Sequence, residues 1–188
     1  MSNTKLRREF YQRKPQVVAK ELLGKLLARN MDGKFIIVKI VETEAYGGEE
    51  DKGCHASRYG VTKRTAGLFG EVGHAYIYPV HINMFCFNAV AHEDGKAGGV
   101  LIRAGEPLEG TAGLLNGPAK LCKALKINSS LNGEDLLGEN LFIVEGEEVK
   151  EGDILATKRV NIPYAGEARN YLWRYVLKNS PFLSRPLR

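Results

Sequence analysis

"KFIIVKIVETEAY", Lys34 to Tyr46, decides the fold. Phe35, Ile36, Ile37, Val38, Ile40 and Val41 crowd its first half. Such a short run, rich in β-branched residues, predicts a strand, entered through the turn "MDGK" at Met31 to Lys34. Strand side chains alternate between faces. Unless a bulge intervenes, Ile36, Val38, Ile40, Glu42, Glu44 and Tyr46 share one face. Two readings remain open. Either the aliphatics carry both carboxylates to the edge of the core, where a charge is costly unless paired or protonated, or the strand ends near Val41 and both glutamates are solvated.

Working outward, "QVVAKELLGKLLAR" spaces Val17, Val18, Leu22, Leu23, Leu26 and Leu27 at helical intervals, weakened by Gly24, and its Leu26–Ala28 end also suits a strand. Gly47 to Thr65 reads as a long functional loop. "HAYIYPVHINMFCFNAVA" reads as two strands bent around Pro79 to Asn83, and Val100 to Ala104 as another. "GPAKLCKALKI" predicts a short helix with Pro118 in its first turn. "NLFIVEG" and "DILATKRVNI" add two more strands. Antiparallel strands with a few helices and no alternating βαβ rhythm give an α+β class.

At 188 residues the chain suits one domain, 1–188, with a real core. It has 44% hydrophobic and 26% charged residues, ordinary for a folded soluble protein. No run approaches the roughly 20 apolar residues of a membrane span, and the basic N-terminus lacks the apolar block of a signal peptide. Neither a membrane partner nor secretion is expected. Cys54, Cys86 and Cys122 lie far apart and read as reduced cytosolic thiols; no CxxC pair suggests zinc. Lys158 to Arg188 carries seven basic residues and one acid, Glu167, while Glu134 to Asp153 is acidic. That asymmetry suits a face turned toward a polyanion.

Around Glu44 the sequence supplies Tyr46, His55, Tyr76, Tyr78, Asn88 and Arg103. A carboxylate, an arginine, a histidine and several tyrosines suit a site that grips a flat heterocycle and activates a water. Five blocks then resemble one family in its order, from about Phe10 to Ser184: "IVETEAYGGEEDKGCH", "GHAYIYPVHINMFCFN", "VLIRAGEPLEG", "NGPAKLCKALKIN" and "RVNIPYAGEARNYLWRYVLKNSPFLS". They are similar to the alkyladenine, or methylpurine, DNA glycosylases.

The resemblance implies a single catalytic domain: a curved, barrel-like, mainly antiparallel sheet with surrounding helices and a protruding β-hairpin that enters DNA. It implies a monomeric, monofunctional enzyme of base-excision repair, cytoplasmic and nucleoid-associated, or nuclear in a eukaryote. Its partner is double-stranded DNA bearing damaged purines, which it flips into a pocket. It needs no cofactor and no metal. Glu44 matches the carboxylate that activates water and Arg103 the arginine that positions it, with a backbone carbonyl near Val160. Tyr46 matches the tyrosine stacked on the flipped base, with His55 and Tyr78 on the other face and Asn88 rejecting guanine. His81 stands where the family usually inserts Tyr, and Ile82 could share that wedge role. Glu42 reads as structural, anchoring a backbone amide or a basic residue. Arg58, Lys63, Arg64, Lys158, Arg159, Arg169 and Arg174 are candidates for phosphate contacts.

Two rivals stand beside this. A non-catalytic nucleic-acid-binding module would use the same tyrosines but has no use for an anion at the sugar. A metal-dependent nucleotide hydrolase would need Asp51, His55 and Glu44 to converge.

Overall fold

Lys34 to Tyr46 form a single strand of 13 residues. The computed structural model describes residues 4–187. In chain order its elements are α1 (Arg8–Tyr11), α2 (Pro15–Glu21), β1 (Leu26–Met31), β2 (Lys34–Tyr46), α3 (His55–Tyr59), β3 (Ala75–His81), β4 (Met84–Val90), β5 (Gly99–Glu109), β6 (Leu115–Asn116), α4 (Pro118–Ala124), β7 (Leu141–Val144), β8 (Ile154–Thr157) and β9 (Arg174–Leu177). The strands form one antiparallel sheet, curled as a half-barrel, in the order β3-β4-β5-β2-β1-β7; β6 adds to β5, and β9 pairs with both β2 and β8.

The expected α+β class holds, as do the β2 strand, the strand pair around Pro79 to Asn83, and the helix opened by Pro118. Two local readings need correction, and one strand was not read from the sequence. The helical spacing after Val17 stops at Glu21, because Gly24 turns the chain with φ +83°, a conformation that disfavours any side chain. Gly47 to Thr65 is no plain loop: it holds a 3-10 turn at Gly48–Glu50 and then α3. Strand β9 carries no alternation strong enough to be seen in advance.

The main core packs α2 and α4 against one sheet face, around Leu22, Leu27, Ile40, Phe87, Ile102, Leu121, Leu125 and Ile143. Ile36, Val38 and Ile40 point into it. The register then slips. Ile40 pairs with Gly105, Glu42 with Ala104 and Thr43 with Ile102, so Val41 is an extra residue on β2 and Arg103 an extra one on β5. A bulge reverses the alternation beyond it. Thr43 and Ala45 now take the core face: Ala45 joins the main core, and Thr43 Oγ1 donates to the Ala19 carbonyl of α2 at 2.7 Å. Glu42, Glu44 and Tyr46 still share a face, but it is the face opposite Ile36, Val38 and Ile40. Neither sequence reading of the two glutamates therefore holds. They are not at the core's edge and not solvated; both are fully buried on the second face. The slip falls where β2 changes partner, from β1 up to Lys39 to β9 from Glu42.

Candidate active site

Strand pairing lines up residues across five strands. Tyr76 of β3 lies opposite Asn88 of β4, Asn88 opposite Leu101 of β5, Leu101 opposite Glu44 of β2, and Glu44 opposite Arg174 of β9. Residues directly opposite share a face. Tyr78 extends this face through its pairing with Cys86, and Tyr46 through its pairing with Gly99. Residues far apart in the chain thus reach one surface because the ladder fixes their heights.

Three carboxylates and three guanidiniums are buried here: Glu42, Glu44 and Asp51 with Arg103, Arg159 and Arg174. The charges balance, as buried ions must to offset lost hydration. Glu42 Oε1 accepts from Arg174 Nε at 2.7 Å, Arg103 Nε at 3.1 Å and Ser184 Oγ at 2.6 Å, and its Oε2 accepts from the Ser184 amide at 2.6 Å. Burial works to raise the Glu42 pKa, but Arg174, both Ser184 donors and the charge of Arg103 together hold it below the usual carboxylate value. The anchoring role read for Glu42 is what its geometry provides. Glu44 Oε2 accepts from the Tyr46 hydroxyl at 2.8 Å and Arg103 Nη1 at 3.4 Å, and its Oε1 accepts from the Val160 amide at 2.6 Å. Burial, then the charge of Glu44, pushes the Tyr46 phenol well up, so it stays a neutral donor. Burial opposes the charge on Arg103, and Glu44 and Glu42 more than restore it.

Beside this cluster, sharing the Tyr46 side chain with it, lies a narrow, partly open pocket. Tyr46, His55, Tyr78 and Asn88 all line it. His55 comes from the start of α3 and meets the Tyr76 hydroxyl through Nδ1 at 2.9 Å and the Tyr78 ring at 4.6 Å between centroids. The Asn88 side-chain amide donates to the Tyr76 carbonyl at 3.2 Å. Tyr76, one of the tyrosines the sequence grouped around Glu44, lines the pocket as well, and so does Tyr164, which the sequence reading did not single out. Tyr164 sits inside the quoted block "RVNIPYAGE", but only tertiary packing brings it to the rim.

A family model for methylpurine-DNA glycosylase (MPG) matches residues 9–181. The chain belongs to the methylpurine-DNA glycosylase family. A relative from Desulfitobacterium hafniense (strain Y51), named "Putative 3-methyladenine DNA glycosylase", is 42% identical over 200 residues, covering 96% of this chain and 98% of the relative. Relatives of the same name come from Clostridium acetobutylicum (strain ATCC 824), 44% identical over 96% of this chain and 97% of its own length, and Clostridium botulinum (strain Hall), 43% identical over 96% and 98%. The protein is a DNA glycosylase, a hydrolase whose substrate is DNA.

In this glycosylase β3 leads from the pocket residues Tyr76 and Tyr78 to an exposed tip, His81–Met84. His81 and Ile82 stand three and four residues beyond Tyr78, about 10–13 Å of strand. Ile82 is 82% exposed, while the His81 ring turns back so that Nδ1 accepts the Ile82 amide at 2.9 Å. The tip is therefore not packed on the protein's own core.

The basic residues divide. Arg58, Lys63, Arg64, Lys158 and Arg169 are exposed. Arg159 and Arg174 are buried and paired with Asp51 and Glu42, so the expectation that they touch phosphate is corrected: the terminal nitrogens of Arg159 hold Asp51 and the carbonyls of Ala45 and Ala168, and the nitrogens of Arg174 hold Glu42, the Thr157 hydroxyl and the Arg185 carbonyl.

His55 offers a pH test. Burial first, then the charges of Arg64 and Arg58, pushes its imidazole down from 6.5 to about 4. Below pH 6.5 the unfolded chain binds a proton that the folded one refuses. Its contribution is thus fully present above pH 6.5, is lost as the pH falls toward about 4, and then levels. Melting temperatures recorded across this range should fall more steeply for the native glycosylase than for His55→Gln; parallel curves would mean that His55 protonates freely in the fold.

Proposed function

We propose that this glycosylase flips alkylated or deaminated purines, of the 3-methyladenine, 7-methylguanine, hypoxanthine and ethenoadenine class, out of duplex DNA. It then hydrolyses the N-glycosidic bond with a water activated by Glu44 and leaves an abasic site. The observation that carries this reading is the placement of Glu44, fully buried on the row it shares with Asn88 and Tyr76 and tied to the pocket wall through the Tyr46 hydroxyl.

A carboxylate has about four acceptor positions. Tyr46, Arg103 and Val160 take three, which leaves one for a water. In the proposed mechanism Glu44 takes that water's proton as its oxygen attacks the anomeric carbon, and the negative charge stabilises the cationic sugar that develops. Arg103 keeps the carboxylate oriented, and the Val160 carbonyl holds the water from the side. The purine stacks on Tyr46, with His55 and Tyr78 closing the other face, where aromatic rings favour a cationic alkylated base. Asn88 rejects guanine. The described lining of the pocket holds no lysine, which favours hydrolysis over a lyase step through an amine. The metal-hydrolase rival is disfavoured because Asp51 gives both oxygens to Arg159 at 2.5 and 2.7 Å and to the amides of Gly47 and Gly53. The test is a panel of duplexes, each bearing one damaged purine, treated with alkali after incubation. Strand cleavage at alkylated or deaminated purines and none at intact ones is the expected outcome; cleavage at none of them would refute the reading.

The tip enters the duplex where the nucleotide leaves, an apolar wedge of the kind minor-groove proteins insert. Ile82→Ala should lower the extruded population by about fivefold or more, and His81→Ala by less, as unstacking costs a few kcal/mol per step. A fluorescent base analogue next to the lesion reads this directly. Equal signals from both variants and the native protein would remove the tip from the mechanism.

A further inference from the structure

We propose that Arg159 is a positioning residue for base excision, holding the Tyr46 ring as the pocket wall and the Val160 amide on Glu44. This rests on the reading of Glu44 just given.

The Arg159 guanidinium is fully enclosed and joins three separate parts of the chain. Its Nη1 donates to the carbonyl of Ala45, the residue between Glu44 and Tyr46, at 2.9 Å. Both terminal nitrogens grip Asp51 in the loop that leads to His55, and Nη2 also reaches the Ala168 carbonyl at 3.2 Å. The same group lies between two rings, 4.8 Å from the centroid of Tyr46 and 5.1 Å from that of Trp173. The loop is bare where it passes: a Cβ on Gly53 would stand 2.8 Å from Nη2.

Stability alone is a poor reason for such a residue. A buried ion pair is seldom better than packed apolar side chains, and Arg159 Nε is buried with no partner among the described residues, which adds a desolvation cost. What the position does offer is control of Glu44 at one remove. Of the three donors on that carboxylate, one is the hydroxyl of Tyr46, whose ring Arg159 backs, and one is the amide of Val160, the next residue in the chain. Arg159 touches neither Glu44 nor the pocket space. Its planar fork makes four directed bonds and two cation–ring contacts at once, which a lysine cannot reproduce.

The test is Arg159→Lys in single-turnover excision of hypoxanthine from a duplex, alone and combined with Tyr46→Leu. Misplacing groups by about 1 Å costs up to about 10²-fold. The excision rate should fall about 10- to 100-fold while affinity for the lesion duplex changes by less than about threefold. With Tyr46→Leu the combined loss should fall short of the product of the single losses by about fivefold or more, since contacting residues couple. An unchanged rate, fully multiplicative losses, or equal losses of rate and affinity overturn the proposal, the last pointing to a phosphate grip. If Arg159→Lys melts below the assay temperature, Asp51→Asn should give the same readings, and melting of both would make Arg159 a folding residue only. Glu44→Gln run alongside separates the two ideas. If it excises normally, the reading of the site falls; if it is inert while Arg159→Lys is at full rate, only the positioning role falls.

Discussion

Glu44→Gln should bind lesion-bearing DNA and fail to release the base. General-base assistance alone contributes about 10²- to 10⁴-fold, and the variant also loses the charge that faces the developing sugar cation. We expect single-turnover excision to drop at least about 10²-fold. Affinity should stay within about threefold, because the aromatic walls of the pocket are untouched. Gln keeps one acceptor oxygen. Turned toward Tyr46 and Arg103, it sets its NH₂ against the Val160 amide, which donates to Oε1 in the native protein. That conflict costs about 1–3 kcal/mol of stability, so the assay belongs well below the variant's melting temperature. A Glu44→Gln protein that excises at the native rate would end the water-activation mechanism.

Glu42→Ala is expected to have the largest effect on stability. Glu42 is fully buried and accepts from two guanidiniums and from both donors of Ser184. Removing it leaves Arg174 buried without a carboxylate, leaves Arg103 with Glu44 alone, and loosens the C-terminal segment that Ser184 ties down. Breaking a buried pair by deleting one partner costs about 3–5 kcal/mol, a large share of the roughly 5–15 kcal/mol that holds a domain together. At about 2–4 °C per kcal/mol for a chain of this size, the melting temperature should fall by roughly 6–20 °C. A shift under about 2 °C would mean that the acid–arginine cluster has an alternative arrangement as good as the native one. Comparing the two glutamates also separates their roles: the Glu44 substitution should act chiefly on rate and the Glu42 substitution chiefly on melting.

Much of this was legible in the chain, for local reasons. The β-branched run of β2, the turn before it, the pairing of β3 with β4 and the Pro118 helix start all depend on neighbours within a few residues. The family motifs pointed to Glu44, Tyr46, His55, Tyr78, Asn88 and Arg103, and the fold brings all six together. The face of the sheet on which they meet was misread, because the bulge at Val41 depends on β2 exchanging β1 for a strand that begins at Arg174. Arg159 and Arg174 looked like surface cations for a similar reason. Their carboxylate partners lie 108 and 132 residues away, so nothing near them in the chain marks them as buried.

The order of residues along the chain determined which chemical groups are present and which short segments are extended or helical, since those preferences are set by backbone sterics and immediate neighbours. Only the folded sheet decided that two glutamates two residues apart would part company, one fastened among arginines and the C-terminal segment, the other beside an aromatic pocket. That choice follows from ladder register and burial, which arise when distant strands pair and exclude water.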